Sequence, residues 1–332
     1  MHYGSFLLIL SLAVAKAADG DKSFLFLDSA VDVEEARLEG EGRAIIPDLL
    51  TQMGLDSLVS LVNKAGLTAT LSGPGPFTVF APTNEAFFKL PEWVQKAVSN
   101  VTILTDILKY HVLAGNVKSS ALANELLVDT VLPGKKLRIN LYKKQDATVA
   151  TAQCAPIDLD KVDEPATNGI VHFLNRVMLP PAGDMVTVLN ACSQFKTLVA
   201  AVRAAGLANA LSGDGPFTLF APTDRAFRKL PPQALDNLLK NATALTRVLQ
   251  YHVVPGTFCS AGLFNSDVST LATDKVKIEI IGAKVKVNNA RVIVADASVT
   301  NGVVHAINQV LIPPNIRPSS TYRNGLRQLC PT

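Results

Sequence analysis

The chain has 332 residues, a length that fits two domains better than a single core. Its composition is 48% hydrophobic and 18% charged, which is typical of a globular protein and excludes a disordered one. The formal net charge of +3 is small for this length. We therefore expect no nucleic-acid partner, because phosphate binding needs a concentrated basic face.

The N-terminus has the pattern of an export signal. The apolar run 6–15 is too short to span a bilayer, and small residues at positions 15 and 17 supply a cleavage pattern. We expect residues 1–17 to be a signal peptide and the protein to be secreted into the extracellular space, with a buried N-terminal helix as the alternative. No later segment has the length of a membrane span, and the polar basic tail 315–332 lacks the hydrophobic stretch of a lipid-anchor signal.

Residues 18–45 differ in character from the rest of the chain. They hold eight acidic residues against three basic ones and take no part in the repeat described next. This composition predicts an acidic leader that is flexible and not a folded unit.

The strongest signal in the sequence is an internal repeat. Residues 77–91 return as 217–231 with eleven of fifteen positions identical, and later blocks recur in the same order. These blocks are Tyr110-His111-Val112 with Tyr251-His252-Val253, 168–172 with 301–305, and a double proline that closes each copy. The offset between copies falls from 140 or 141 residues to 133, which predicts extra loop residues around 143–164. A period this long indicates two complete domains, 46–181 and 185–314, and not a solenoid.

The order of elements can be predicted along the second copy. Apolar residues at three- and four-residue steps predict an amphipathic helix over 188–202, which Gly206 can end. A strand follows at 217–220, then a helix from Arg225 that the preceding Pro-Thr-Asp can cap. Alternating residues predict strands over 276–280 and 284–287, and the turn pair Asn301-Gly302 introduces a strand over 303–307. Each domain should be α+β with an antiparallel sheet.

The repeated blocks resemble the fasciclin domain. The Phe-Thr-x-Phe-Ala-Pro-Thr block with its following helix, and the late Tyr-His and Asn-Gly-x-x-His blocks, are present in both copies and span residues 46–314. The resemblance implies two tandem domains, each a wedge-shaped antiparallel β-sandwich with packed helices. It also implies a role in cell adhesion or matrix assembly.

The same resemblance suggests receptor-binding residues. In animal members of the family, integrin recognition has been attributed to the Tyr-His block and to an upstream Asp-Ile dipeptide, so integrin-type receptors and extracellular matrix proteins are the expected partners. The second copy has Arg247 where the first has the acid, which makes the first domain the better candidate. A solvated charge at Asp106 and a strand-orienting role for the Tyr-His blocks are the alternatives. The matching residues are Asp106, Ile107, Tyr110, His111, Tyr251 and His252.

Nothing in the sequence points to an enzyme. Each copy pairs two histidines, His111 with His172 and His252 with His305, but these lie in apolar runs and lack a third ligand at metal-binding spacing. We therefore expect no catalytic site, no metal and no cofactor, and a structural role for the histidines. Two function classes remain: a secreted adhesion or matrix protein, and a secreted module that captures a small molecule or glycan in a cavity.

Covalent modifications are expected at cysteines and asparagines. The four cysteines allow two disulfides with three possible connectivities. We favour Cys192–Cys259, because both lie in the second domain, whereas Cys154 and Cys330 have no partner in their own regions. The sequons at Asn100 and Asn241 fall at the same place in the repeat and predict N-glycosylation.

Overall fold

The computed structural model describes residues 43–144 and 147–316. The predicted signal peptide, most of the acidic leader, the tail beyond residue 316 and Cys330 lie outside the described residues. Within the described residues, no single helix is long and apolar enough to cross a membrane. One pair, Met185–Ala191 with Ser193–Ala204, meets the requirement by length and composition, but it is bent by 103°.

The first domain alternates short helices with strands. Its described helices are α1 (Ile46–Gln52), α2 (Asp56–Lys64), α3 (Thr68–Leu71), α4 (Asn84–Phe88), α5 (Glu92–Ala97) and α6 (Val101–Tyr110), with a 3₁₀ turn at Ser119–Ala121. Its described strands are β1 (Phe77–Pro82), β2 (Val112–Ala114), β3 (Leu126–Asp129), β4 (Lys136–Lys143), β5 (Thr148–Ala152), β6 (Ala155–Pro156), β7 (Glu164–Ala166) and β8 (Gly169–Leu174).

The second domain repeats this order. Its described helices are α7 (Met185–Ala191), α8 (Lys196–Ala204), α9 (Ala208–Leu211), α10 (Asp224–Phe227), α11 (Pro232–Lys240) and α12 (Ala242–Tyr251), with 3₁₀ turns at Ser193–Phe195 and Ser260–Gly262. Its described strands are β9 (Phe217–Pro222), β10 (Val253–Pro255), β11 (Ser266–Ser269), β12 (Lys275–Ile281), β13 (Lys284–Val287), β14 (Ala290–Val299) and β15 (Gly302–Ile307).

Each domain has three layers: helices, a first sheet and a second sheet. In the first domain the strand orders are β2-β1-β8-β7 and β3-β4-β5-β6. Successive residues of β1 face opposite sides, so Val79 packs against the helices while Phe80 packs between the sheets. In the second domain β14 belongs to both layers and joins them into one seven-stranded sheet. The predicted α+β class with packed helices is confirmed.

The sheets are antiparallel except for one parallel pair in each domain, β1 with β8 and β9 with β15. Each second strand of the pair begins at a glycine, Gly169 or Gly302, with φ of 158° or 144°. A Cβ at either glycine would overlap the carbonyl of the facing Phe77 or Phe217. The glycine is therefore required by the close approach of two strands. The pair also lies at the predicted turn, because Asn301 belongs to the two-residue hairpin loop between β14 and β15, as Asn168 does between β7 and β8.

Most predicted elements of the second copy are confirmed, but the helix over 188–202 is wrong. The chain breaks at Cys192, whose backbone is extended (φ −96°, ψ 114°), and restarts as α8 after a 3₁₀ turn. The apolar pattern continues across the break because α7, Phe195 and α8 all pack into the same core. By contrast, Thr223 caps α10 as expected, since its hydroxyl accepts a hydrogen bond from the backbone N–H of Ala226.

Candidate functional site

The Tyr-His blocks lie inside the two domains. Tyr110 ends α6 and Tyr251 ends α12, and both side chains are buried. Each phenol donates a hydrogen bond to a strand carbonyl, Tyr110 to Lys136 at 3.0 Å and Tyr251 to Lys275 at 2.9 Å. The tyrosine thus fastens the end of a helix to the second sheet.

Each following histidine uses both ring nitrogens. In His111, Nδ1–H donates to the carbonyl of Ile107 at 2.7 Å, and Nε2 accepts from the N–H of Met178 at 3.0 Å. His252 makes the equivalent bonds at 2.8 and 2.9 Å. Burial lowers the pKa of each imidazole to about 4, so both are neutral near pH 7. Neither ring has a free nitrogen for a metal or a receptor.

Of the six predicted receptor-binding residues, the structure places one on the surface. Asp106 is exposed on α6, whereas its neighbour Ile107 is 6% exposed and packs into an apolar cluster. The two Tyr-His pairs are buried, as described above. In the second domain the place of Asp106 is taken by Arg247, which forms an ion pair with Asp274 at 2.9 Å.

Two exposed aromatic side chains accompany Asp106. Phe88 on α4 is 81% exposed, and Trp93 on α5, the single tryptophan of the chain, is 65% exposed. Residues of α4 and α6, together with Val98 directly after α5, belong to the apolar cluster around Ile107, so the three helices lie in one layer. The sequence analysis did not identify these two aromatics. A comparison of the two copies could have done so, because Arg228 and Gln233 occupy the matching positions of the second copy.

The other two histidines of the described residues, His172 and His305, each belong to a Ser-Asp-His group. His172 Nδ1 accepts from the backbone N–H of Asp163 at 3.1 Å, and its Nε2–H donates to the carbonyl of Val117 at 2.8 Å. His305 makes the same two bonds with Asp296 and Phe258. Burial lowers the pKa of both imidazoles.

The serines of these groups face the carboxylates and not the histidines. Ser119 donates its N–H and hydroxyl to Asp163, and Ser260 donates the same groups to Asp296. A nucleophilic serine needs an imidazole nitrogen that can accept its proton. In both groups the ring nitrogens are bonded to backbone atoms, so the arrangement stabilises loops and does not match a catalytic triad.

A disulfide joins the two domains. Cys154, in the turn between β5 and β6, is bonded to Cys259, with their Cα atoms 5.2 Å apart. The predicted Cys192–Cys259 pairing is therefore wrong, because the packing of the domains brings together cysteines that are 105 residues apart. Cys192 has no disulfide partner among the described residues. Cys154, Cys259 and Asp296 form a group with metal-ligand proximity, but the disulfide removes both thiolates.

Polar contacts surround this disulfide. The Tyr142 hydroxyl donates to the carbonyl of Thr257 at 2.9 Å and accepts from the N–H of Cys259 at 2.9 Å. Glu125 accepts from the N–H and hydroxyl of Thr257 and pairs with Arg138 at 2.9 Å. Arg138 also donates to the carbonyl of Thr300 in the second domain, at 3.2 Å. The outer face of β4 and β5 is therefore buried by the second domain.

Glu125 belongs to the first domain alone. Asn124 and Asn265 accept hydrogen bonds from equivalent strand residues of the two copies, and Leu126 and Ser266 pair with equivalent strand residues. One residue separates Asn124 from Leu126, whereas Asn265 and Ser266 are adjacent, so the first copy has one extra residue here. Glu125 takes up this residue with a left-handed φ of 60°. Further differences at the turn from β4 to β5 and after β6 account for most of the change in repeat offset, as predicted.

The two sequon asparagines cap helices. Asn100 and Asn241 are exposed, and each side-chain oxygen accepts backbone N–H groups of the following helix, α6 or α12. Glycosylation at these positions stays a prediction.

Comparison with known proteins places this fold in a family. The Fasciclin domain model matches residues 53–180 and 193–313, which lie within the two predicted domains. Rabbit transforming growth factor-beta-induced protein ig-h3 is 33% identical over 263 residues, covering 78% of this chain and 38% of that protein. Human periostin is 32% identical over 255 residues, covering 76% of this chain and 30% of that protein. The chain thus spans about a third of the length of these relatives.

Similarity also extends to shorter and to solved proteins. Protein sll1483 of Synechocystis is 46% identical over 135 residues, which covers 40% of this chain and 75% of that protein. A solved domain pair from the insect cell adhesion molecule fasciclin I aligns with a TM-score of 0.39 and 19% identity, covering 78% of this chain and 96% of that one. That alignment is too weak to support conclusions about domain arrangement. The family match, by contrast, covers both halves of the chain, which therefore belongs to the fasciclin domain family and carries two tandem fasciclin domains.

Proposed function

We propose that the chain is a secreted cell-adhesion or extracellular-matrix protein that acts through protein–protein contacts and has no catalytic activity. Membership of the fasciclin domain family supports this class, since the resemblance implies adhesion or matrix assembly. The commitment of all four described histidines to structural hydrogen bonds is consistent with it.

The observation that carries the proposal is the outer side of the helical layer in the first domain. A carboxylate and two aromatic rings, Asp106, Phe88 and Trp93, are exposed there. Exposed aromatics are typical anchors of protein interfaces, and a carboxylate can complete the oxygen shell of a divalent cation. We infer that an integrin-type receptor binds this surface through Asp106, and that matrix proteins use the aromatic side chains.

The buried Tyr-His pairs take an indirect role in this proposal. Tyr110 and His111 hold the C-terminal end of α6 against the sheet, and this fixes the helix that presents Asp106. In the second domain Tyr251 and His252 make the same hydrogen bonds, but the carboxylate that corresponds to Asp106 is absent. The second domain therefore contributes less to cell attachment.

Cell attachment to surfaces coated with the full chain tests the carboxylate. Asp106→Asn keeps the size of the side chain and removes its charge, so we expect attachment in Mg²⁺ or Mn²⁺ to fall several-fold, to the level seen with a chelator. The matched control is Asp236→Asn, an exposed carboxylate on α11 of the second domain. Unchanged attachment by Asp106→Asn, or an equal loss in the control, would contradict the receptor contact.

A second pair of variants tests the aromatic surface. Trp93→Ala should weaken binding to matrix proteins such as collagen or fibronectin at least fivefold, because truncation of an interface tryptophan commonly removes a large share of the binding energy. Gln233→Ala changes the matching position of the second domain and should have no effect. Equal binding by Trp93→Ala and wild type would exclude this surface.

Secretion and N-glycosylation belong to the same proposal. The expected product lacks residues 1–17 and carries sugar at Asn100 and Asn241. Removal of N-glycans should lower the apparent mass of protein secreted by a eukaryotic host, and Asn100→Gln with Asn241→Gln should abolish the shift. An unshifted band from wild type would refute the glycosylation.

The alternative, a module that captures a small molecule in a cavity, has less support. The apolar pocket between α8 and α12 has a volume of about 90 Å³. Drug-sized ligands occupy pockets of roughly 300–1,000 Å³. The larger clefts in the described residues, such as the one of about 570 Å³ beside Arg247, are open to solvent.

A further inference from the structure

A basic cleft lies between α10 and β14 in the second domain. It has a volume of about 170 Å³, roughly that of five or six liquid water molecules, which leaves room for one sulfate or phosphate group. Three cationic side chains and two polar ones surround it. The residues that line the cleft are Thr223, Arg225, Lys229, Arg291, Ile293 and Asn308.

These cations lack counter-charges in the part of the chain that the structure describes. No described carboxylate lies within 4.0 Å of the charged groups of Arg225, Lys229 or Arg291. Lys229 instead donates to the carbonyl of Asn308 at 2.8 Å. Asp224, next to Arg225 in sequence, accepts from the N–H of Thr197 at 2.8 Å. Like charges around one cleft repel each other, and a bound anion would relieve that repulsion.

The positive charge continues along the outer face of the sheet. Lys286 on β13 lies directly opposite Arg291 on β14, so both side chains stand on the same face, and Lys284 follows two residues away. Glu279 on β12 lies directly opposite Lys286, and its carboxylate forms an ion pair with Lys277 at 2.8 Å. Five cations, Arg225, Lys229, Lys284, Lys286 and Arg291, therefore form a predominantly basic stripe from the cleft across the strands, with Glu279 beside it. A stripe suits a linear polyanion better than a single ion.

The first domain shows that the fold does not require this charge. Glu85 and Lys89 occupy the places of Arg225 and Lys229, and they neutralise each other in an ion pair of 2.8 Å. By strand register, the places of Lys286 and Arg291 are held by Thr151 and Pro156. Thr151 is fully buried under the second domain.

We propose that the basic stripe of the second domain binds a sulfated polysaccharide, with the cleft holding one sulfate group between Arg225, Lys229 and Arg291. Guanidinium groups present a planar fork of donors that matches tetrahedral oxyanions. The ligand class fits the extracellular setting of the proposed function. The site itself is independent of Asp106, so the two proposals can fail separately.

Binding of a heparin decasaccharide to the full chain, measured by titration calorimetry, tests the site. We expect the wild-type affinity to fall steeply as NaCl is raised, because screening weakens contacts between exposed charges. Arg225→Glu with Arg291→Glu should weaken binding at least tenfold. The matched control is Lys64→Glu with Lys240→Glu, which changes the net charge equally at exposed lysines away from the stripe and should alter the affinity less than twofold.

Binding and competition measurements with other compounds identify the ligand. Desulfated heparin should not bind, and neither inorganic sulfate nor polyglutamate should compete at concentrations where heparin saturates the site. The proposal is overturned if the control loses as much affinity as the double variant, or if the double variant binds like wild type. Equal affinity for desulfated heparin would exclude sulfate recognition. Equal competition by polyglutamate would favour an acidic protein as the ligand, and equal competition by inorganic sulfate would indicate a small-anion site.

Two more variants complete the test. Arg225→Gln with Arg291→Gln repeats it without charge reversal, and Asp106→Asn should bind heparin normally.

Discussion

The two domains use the outer face of the second sheet in opposite ways. This face is formed by β4 and β5 in the first domain and by β12 and β13 in the second. In the first domain this face carries Asn140 and Thr151, which are at most 1% exposed because the second domain covers them. In the second domain the equivalent residues are Glu279 and Lys286, and both are partly exposed to solvent. The interiors, by contrast, repeat each other down to single hydrogen bonds of the histidines.

This difference shows where a duplicated domain can change. The buried Tyr-His and Asn-Gly blocks are repeated because the Tyr, His and Asn side chains satisfy backbone groups that the fold leaves unpaired, and because only glycine fits the close strand contact. The side chains on the outer strand face are not needed for such hydrogen bonds within their own domain. It holds a neighbouring domain in one copy, and in the other it carries a charged surface that is available for a ligand.

Gly262 packs directly against the ring of Tyr142 across the domain contact. A Cβ at Gly262 would overlap the Tyr142 ring, whose hydroxyl is fixed by two hydrogen bonds. We expect Gly262→Ala to destabilise the domain contact by about 3 kcal/mol, as overpacking does. Thermal unfolding should show a lower midpoint, and small-angle scattering a larger radius of gyration.

The first domain supplies the control for this substitution. Ala121 holds the position of Gly262 and is exposed. Ala121→Gly should leave both measurements within error. A stable, compact Gly262→Ala variant would show that the interface adapts more easily than its geometry indicates.

Acid should weaken both domains alike. The folded pKa of His111 and His252 is about 4, below the unfolded value of about 6.5, so the unfolded chain binds more protons between these values. The contribution of each histidine to stability is therefore fully present above pH 6.5 and is lost as the pH falls toward 4, by about 2 kcal/mol per histidine at pH 5. Urea unfolding at pH 7 and pH 5 measures the loss, and a markedly unequal loss in the two domains would break the symmetry inferred here.

Removing the charge of Glu125 should affect the first domain and its interface. Arg138 is nearly buried and would lose its counter-charge in Glu125→Gln, so we expect a loss of about 2 kcal/mol, which is less than for a fully buried pair. Urea unfolding of the full chain measures it. Glu279→Gln, whose partner Lys277 is exposed, is the matched control and should be neutral. An equal effect of both variants would argue against a special role for the extra residue.

The smallest expected effect separates surface charge from stability. Lys89→Met removes the exposed ion pair with Glu85, and such pairs contribute little, so the unfolding midpoint should not change measurably. Lys229→Met, at the matching position, should also leave the midpoint unchanged but should reduce heparin affinity about threefold. A shift in the midpoint for either variant would show that these lysines matter for folding.

Much of the fold could be predicted because local patterns repeat twice. The strands β12 and β13 and the cap at Thr223 follow from alternation and capping chemistry in neighbouring residues. The helix over 188–202 was predicted as continuous because periodicity reports which residues face a core and not whether the backbone bends between them. The pairing Cys192–Cys259 failed for a related reason, since sequence position does not say which loops meet.

The repeat, the two domains, the α+β class and the histidine blocks could all be predicted from the chain, because they depend on residue types and spacing within each copy. The tertiary structure alone decided that the Tyr-His blocks are buried while Asp106 is exposed, and that Cys154 pairs with Cys259. It also decided that one copy of a strand face is covered and the other is free. Exposure and long-range pairing depend on how whole elements pack, and a side chain's neighbours in sequence do not contain that information.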